Sequence, residues 1–309
     1  GRGMTIPVLA GDAPAIGQPT TFTEDLHVEE EHYSAGALIK DPEADYWLWD
    51  FFTGGSSSSG KKTFSLVAPG AVATESATLV VRMQGGSSSG VEGEHGISVS
   101  VNGRTVGTGM WTGKEVFELT TSLDAGILKD GANVVEVTAL RGAGAPYSVT
   151  YLDSFDLKYV RTANAVDGRL VISADTAGPV TVSGLVSSDV SVWNIGEPKA
   201  PVSLAGVSVM SGSASFIAEA SHDYLVFTHG SAAAPASIEV PAPAGLTDVT
   251  NDANYIVITV AELSEAAEKL AEYRRDQGLK VRTVLLGDIY NEFGHGIESP
   301  TAIKAFLAY

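Results

Sequence analysis

The sequence predicts a multi-domain, mainly β chain: a jelly-roll-like antiparallel β-sandwich, a small second β domain, then a partial α/β segment. Three observations carry this reading. Alternating apolar and polar runs recur roughly every 8–15 residues over the first half, the rhythm of an antiparallel sandwich. Glycine supplies 34 of 309 residues, against a usual share of about 7%, which implies many turns between short strands. After Asp248 the alternation gives way to a continuous apolar run followed by helical spacing. The expected division is an extended leader at 1–20, the jelly-roll-like sandwich at 21–160, a small β-sandwich domain at 161–245 and the start of an α/β domain at 246–309.

Residues 4–20 are rich in Pro, Gly and Ala without a period, and Gly1-Arg2-Gly3-Met4 reads as a cloning remnant without a signal-peptide apolar core. Thr78–Met83 is an expected strand. Ile97–Val101 alternates cleanly, Asn102-Gly103 supplies a two-residue hairpin turn, and Arg104–Val106 resumes the strand. Asn133–Thr138 is a further strand. Val149–Tyr159 is a long one, with 149, 151, 153, 155, 157 and 159 expected on one face. Two low-complexity inserts, Gly54–Gly60 and Gly85–Gly90, read as flexible loops unable to pack. Short strands follow at Arg169–Ile172, Val180–Val182, Val190–Trp193 and Tyr224–Phe227, before a stiff linker with Pro235, Pro241 and Pro243.

Tyr255–Val260 reads as a strand buried on both faces. Leu263, Ala266, Ala267, Leu270, Ala271 and Arg274 follow helical spacing, and Gly278 is the expected stop. Lys280–Leu286 is the next strand, and Ser299-Pro300 caps a last helix. Strand, helix, strand, helix is the opening of a parallel α/β domain. The last helical pattern is still running at Tyr309, which reads as a fragment.

Nineteen basic against 37 acidic residues give 19 − 37 = −18. A nucleic-acid binder needs a basic stripe, so nucleic acid is excluded as a partner. Anionic membrane surfaces are disfavoured, and no apolar run is long enough for a transmembrane helix. With no cysteine, the chain has no disulfide, Cys-zinc site or thiol nucleophile of its own.

Several constellations imitate functional sites. Gly86-Ser87-Ser88-Ser89-Gly90 fits G-x-S-x-G, but a nucleophile elbow needs a helix after it and an alternating strand follows. Ser221-His222-Asp223 places triad residue types side by side, where they cannot converge; it reads as a turn. His27-Val28-Glu29-Glu30-Glu31-His32 reads as a solvated charge run, because the two histidines converge on neither a strand nor a helix. Asp41-Pro42-Glu43-Ala44-Asp45 opens like a calcium loop. Tyr46 and Phe52 stand where an EF-hand needs Gly and Glu, so that site is excluded. A structural Ca²⁺ elsewhere in an acidic β-sandwich stays open, with no residue assigned to it. Tyr46, Trp47, Trp49, Phe51 and Phe52 form an aromatic cluster, expected to be buried between sheets rather than to serve as a sugar platform. Trp111 and Trp193 read as core.

The last sixty residues resemble the start of the catalytic domain of gingipain-like cysteine peptidases, family C25. The resemblance rests on Tyr255-Ile256-Val257-Ile258-Thr259, the stretch Leu270–Val281 with its Tyr273 and Gly278-Leu279, Asp288-Ile289-Tyr290, and Ser299–Leu307 with its Pro300 and Ile303. The β region, through Tyr46–Asp50 and Leu152–Leu157, more loosely resembles the non-catalytic N-terminal region of bacterial members. The resemblance implies a caspase-like α/β segment and a secreted or cell-surface parent that hydrolyses peptide bonds of proteins or peptides with a thiolate–imidazole pair. The family's catalytic His and Cys come downstream of the matched part, so Gly294-His295-Gly296 reads as a Gly-flanked loop and no catalytic residue is assigned. The chain's implied partner is its own downstream catalytic domain, and the chain by itself is expected to be inactive. A carbohydrate- or protein-binding module of a surface protein, or a purely structural surface protein, are the readings from other classes.

Overall fold

The structure, a computed structural model, describes residues 6–39, 46–238 and 240–309. The chain divides into two compact units, Gly1–Ala233 and Ala234–Tyr309.

In the first unit, eight strands follow one another: Asp50–Thr53, Lys61–Ala68, Ala77–Gly85, His95–Val101, Arg104–Trp111, Val116–Leu123, Gly131–Arg141 and Val149–Thr162. Counted in that order they build two antiparallel sheets, 1-8-3-6 and 2-7-4-5. This is the arrangement of a jelly roll, in which two Greek keys place consecutive strands in alternate sheets, except that the fourth and fifth pair with each other as a hairpin. Alternation makes the core. Leu79, Val81 and Met83 face Ile97, Val99, Val101, Val135 and Val137, all essentially without solvent exposure. Trp49, Phe64 and Phe155 meet edge to face at 5.0–5.5 Å and fill one region of it. The predicted hairpin is present: Asn102 (φ 50°) and Gly103 (φ 82°) both take the left-handed backbone that a type I′ turn needs.

Two local expectations fail. The register shifts between Leu152 and Phe155. Thr150 and Leu152 therefore point inward before the shift, and Phe155, Leu157 and Tyr159 after it. A β-bulge adds one residue, and one residue exchanges the faces of a strand with period two. The Gly/Ser inserts do pack. Gly54 N–H bonds Ser148 O at 2.8 Å, and Gly60 is buried and bonds Ser56 O. Gly86 N–H bonds Val149 O at 2.8 Å. The lack of side chains is what permits this: a Cβ on Gly85 would strike the Gly113 carbonyl, and one on Gly86 the Tyr151 ring.

The remainder of this unit is a second, smaller pair of sheets. One orders Val8–Leu9, Val202–Leu204, Val190–Asn194, His222–Thr228 and Arg169–Ala174; the other orders Gly178–Val182, Ser213–Ala218 and Ser208–Met210. Leu170, Ile172, Val182, Phe216, Tyr224 and Val226 are its core. The leader contributes here, because Val8–Leu9 pairs in parallel with Ser203–Leu204. The strand Thr21–Glu29 then pairs with the second half of Val149–Thr162. Its Phe22 enters the smaller core, while Leu26 and Val28 pack on the jelly-roll core.

The second unit is a βαβ element with two further helices. Tyr255–Thr259 and Val281–Leu285 pair in parallel across the helix Ser264–Asp276. The helix ends as Gly278 predicts: Gly278 (φ 86°) N–H bonds Arg275 O and Leu279 N–H bonds Arg274 O, a Schellman motif. Pro300–Ala308 starts at Ser299, whose hydroxyl accepts the Thr301 N–H at 3.1 Å. The short helix Leu286–Phe293 was not foreseen. Nor is Tyr255–Thr259 sealed on both faces, since Ile256 is 39% exposed. With two strands in the sheet, each has an open edge and little to bury against.

Candidate functional site

The catalytic look-alikes do not assemble. The Gly294-His295-Gly296 turn closes the helix Leu286–Phe293: the N–H groups of Gly294 and Gly296 both bond Tyr290 O, at 2.9 and 2.8 Å. Because the chain holds no cysteine, no thiolate can meet His295 within it. Ser221 (φ 61°) sits in a tight turn. There Asp223 accepts from Ser173 and the His222 ring lies against Ala220 O, so the three side chains do not converge. Gly86–Gly90 leads into the strand His95–Val101 and not into a helix.

The His27–His32 run is half strand. His27 lies on Thr21–Glu29 opposite Asp156 and reaches Glu29 with its other nitrogen, 3.2 Å away; His32 reaches Glu30 instead. The hydrogen bond to Asp156, opposed by partial burial and helped by Glu29, raises the His27 pKa above 6.5. Arg82 bridges Glu118 (3.3 Å) and Asp156 (3.7 Å) on the same outer sheet face. A shallow hollow of about 400 Å³ runs over it between Asp25, His27, Val80, Arg82 and Lys158. Each charge lining this hollow has an opposite neighbour, so it offers no net field to a charged ligand.

The aromatic cluster divides. Trp49 and Phe52 are buried as expected, but Tyr46 and Trp47 stack on each other in partial exposure, ring centroids 5.9 Å apart. Trp111 is core, stacked on Phe117 at 4.6 Å. Trp193 is not: it lies half-buried outside the small core, edge-on to Phe227.

A polar cluster that the sequence reading missed lies at one end of the jelly roll. Glu94, His95 and Ser148 have no exposed surface. His95 Nδ1 is 2.8 Å from Ser148 Oγ, and its Nε2 is 3.1 Å from Ser87 O. Parity carried the signal for His95, which is in phase with inward Ile97, Val99 and Val101. The Glu94 carboxylate accepts N–H bonds from Ser89 and Gly113. Oxygens so occupied do not suit a cation. Among the described residues no group of three or more His, Asp or Glu could hold a metal ion. The calcium-like Asp41–Asp45 lies outside the described residues.

Residues 248–309 match the model of Peptidase family C25. No curated protein matches the sequence. Among solved structures, dimeric latent PorU from Porphyromonas gingivalis superposes with a TM-score of 0.70 at 17% identity, over 96% of this chain and 28% of that one. The chain therefore spans little more than a quarter of that protein's length. A CBM36-1 domain of a multidomain xylanase from the hindgut metagenome of Trinervitermes trinervoides reaches a TM-score of 0.26 at 12% identity, over 44% of this chain and 95% of that one. A score that low defines no shared fold. Residues 248–309 thus match the sequence pattern of Peptidase family C25, and the chain has the fold of the PorU portion it superposes on.

Proposed function

We propose that the chain is the non-catalytic N-terminal region of a secreted, gingipain-like cysteine endopeptidase. In this reading a downstream catalytic domain cleaves peptide bonds with a Cys–His pair, and the β region assists its folding, docks on it or keeps it latent. The divisions at residues 20, 160 and 245 belong to the same reading. The observation that carries it is the C25 match at 248–309 directly following a β region with a PorU-like fold. The parent protein should hydrolyse peptides and be silenced by a thiol reagent. Deleting residues 1–245 from it should lower the yield of folded enzyme or raise its basal activity; no change in either would remove the proposed role. The isolated 309-residue chain should cleave nothing in a thiol-sensitive way, because it has no cysteine.

A binding-module reading is favoured by one feature, the partly exposed Tyr46–Trp47 pair. Tryptophan fluorescence titrations with polysaccharides test it, and an unchanged signal with every sugar counts against it.

A further inference from the structure

The cluster at the end of the jelly roll holds two separate loops through one carboxylate. Glu94 accepts the Ser89 N–H from the Gly86–Gly90 segment and, at 2.8 Å, the Gly113 N–H from the turn between Arg104–Trp111 and Val116–Leu123. Neighbouring bonds tie the same segment. The Ser87 hydroxyl accepts the Val149 N–H at 3.0 Å, the Tyr147 hydroxyl donates to Ser88 O at 3.1 Å, and the His95 ring meets Ser87 O.

The groups around the carboxylate are few. From its own stretch of chain, His95 Nε2 is 3.6 Å away. The Gly86–Gly90 segment brings no titratable side chain. The 112–115 turn brings Lys114 and Glu115, both exposed, and the 142–148 stretch brings Tyr147, whose hydroxyl is directed at Ser88.

We infer that Glu94 is an acid-operated latch: its protonation breaks one of its two N–H bonds and weakens the other, loosening the Gly86–Gly90 segment and the Thr112–Lys114 turn while the sheets behind them stay paired. The chemistry is a count of donors and acceptors. An ionised carboxylate accepts at both oxygens; a protonated one has turned one oxygen into a donor, which then faces an N–H. Leaving that part-buried N–H without an acceptor costs free energy. Burial opposes ionisation of Glu94, but the hydrogen bonds from Ser89 and Gly113 and the nearby His95 outweigh it and hold its pKa below the usual 4.5. A depressed carboxylate pKa stabilises the latched form above the ordinary Glu range, and that stabilisation is lost as pH falls through the folded-state value.

Amide NMR of the whole chain under acid titration tests this. The Ser89 and Gly113 amide protons should shift upfield together, with one midpoint below pH 4.5, before amides of the inner strands such as Val99 and Val137 change. In Glu94→Gln neither amide should titrate, and the 86–90 amides should exchange about tenfold faster at neutral pH, the scale of one lost charge-assisted hydrogen bond. The latch is overturned if the two amides do not titrate, if they change only as the whole sandwich unfolds, or if exchange in Glu94→Gln equals wild type. Should that variant not fold, the wild-type titration decides alone.

Discussion

Phe155 and Trp193 show how far one residue's weight depends on where the fold puts it. Phe155 has no exposed surface and touches both Trp49 and Phe64. Phe155→Ala should cost about 3–5 kcal/mol, transfer and cavity together. Trp193→Ala should cost about 1 kcal/mol or less, the value of a single half-exposed aromatic pair. Urea denaturation of both variants checks the contrast, and equal losses would contradict it. His27 makes a prediction in pH. Its pKa is raised in the folded chain, chiefly by Asp156. Its contribution to stability is therefore complete below pH 6.5 and fades as pH rises through the raised value. The side chain is about half exposed, so solvent keeps the effect small. Wild type should lose more thermal stability between pH 6 and pH 8.5 than Asp156→Asn does; identical losses would show that the pair is inert.

At the scale of elements, glycine decides where loops and strands can approach. Gly90 (φ 78°) has open space where a Cβ would go, so Gly90→Ala should cost only the strain of a left-handed alanine, about 1 kcal/mol. Gly85 lies against the Gly113 carbonyl, backbone against backbone. Gly85→Ala should therefore cost at least about 2 kcal/mol, and denaturation midpoints rank the two. The same rule explains why the Gly/Ser inserts defeat a reading from composition. A low-complexity run suggests a loop without partners. Here the absence of side chains lets Gly54, Gly60 and Gly86 bond neighbouring backbone. The helix Ser264–Asp276 was legible from its periodicity and its Gly278 stop because both are local. The bulge after Leu152 was not, because only pairing with Ala77–Gly85 reveals the extra residue.

For the whole molecule, the cores differ in size. The jelly roll packs a continuous set of aromatic and aliphatic side chains, whereas the second unit's fully packed residues are Leu246, Val284, Ile289 and Ala302. Its sheet has two strands and leaves Ile256, Leu285 and Leu270 partly exposed. Residues 255–309 should therefore be the least protected part of the chain in hydrogen exchange. Protection equal to that of Ile97–Val101 would show that the unit is stabilised by something other than its own core.

The sequence alone determined the mainly β class, the hairpin at Asn102-Gly103, the parallel βαβ order after Asp248 and the family resemblance of its last residues. Each of these is written in spacings of a few residues, where periodicity and turn chemistry act directly. The tertiary structure alone decided which sheet each strand joins, which face Leu152 and Phe155 present, that Trp49 is core while Trp193 is not, and that Glu94 is sealed beneath two loops. Those outcomes depend on partners far along the chain: Ser89, Glu94, Gly113 and Ser148 meet because two nested Greek keys bring their loops to one end of the sandwich. Burial is a property of that closure, and no local pattern contains it.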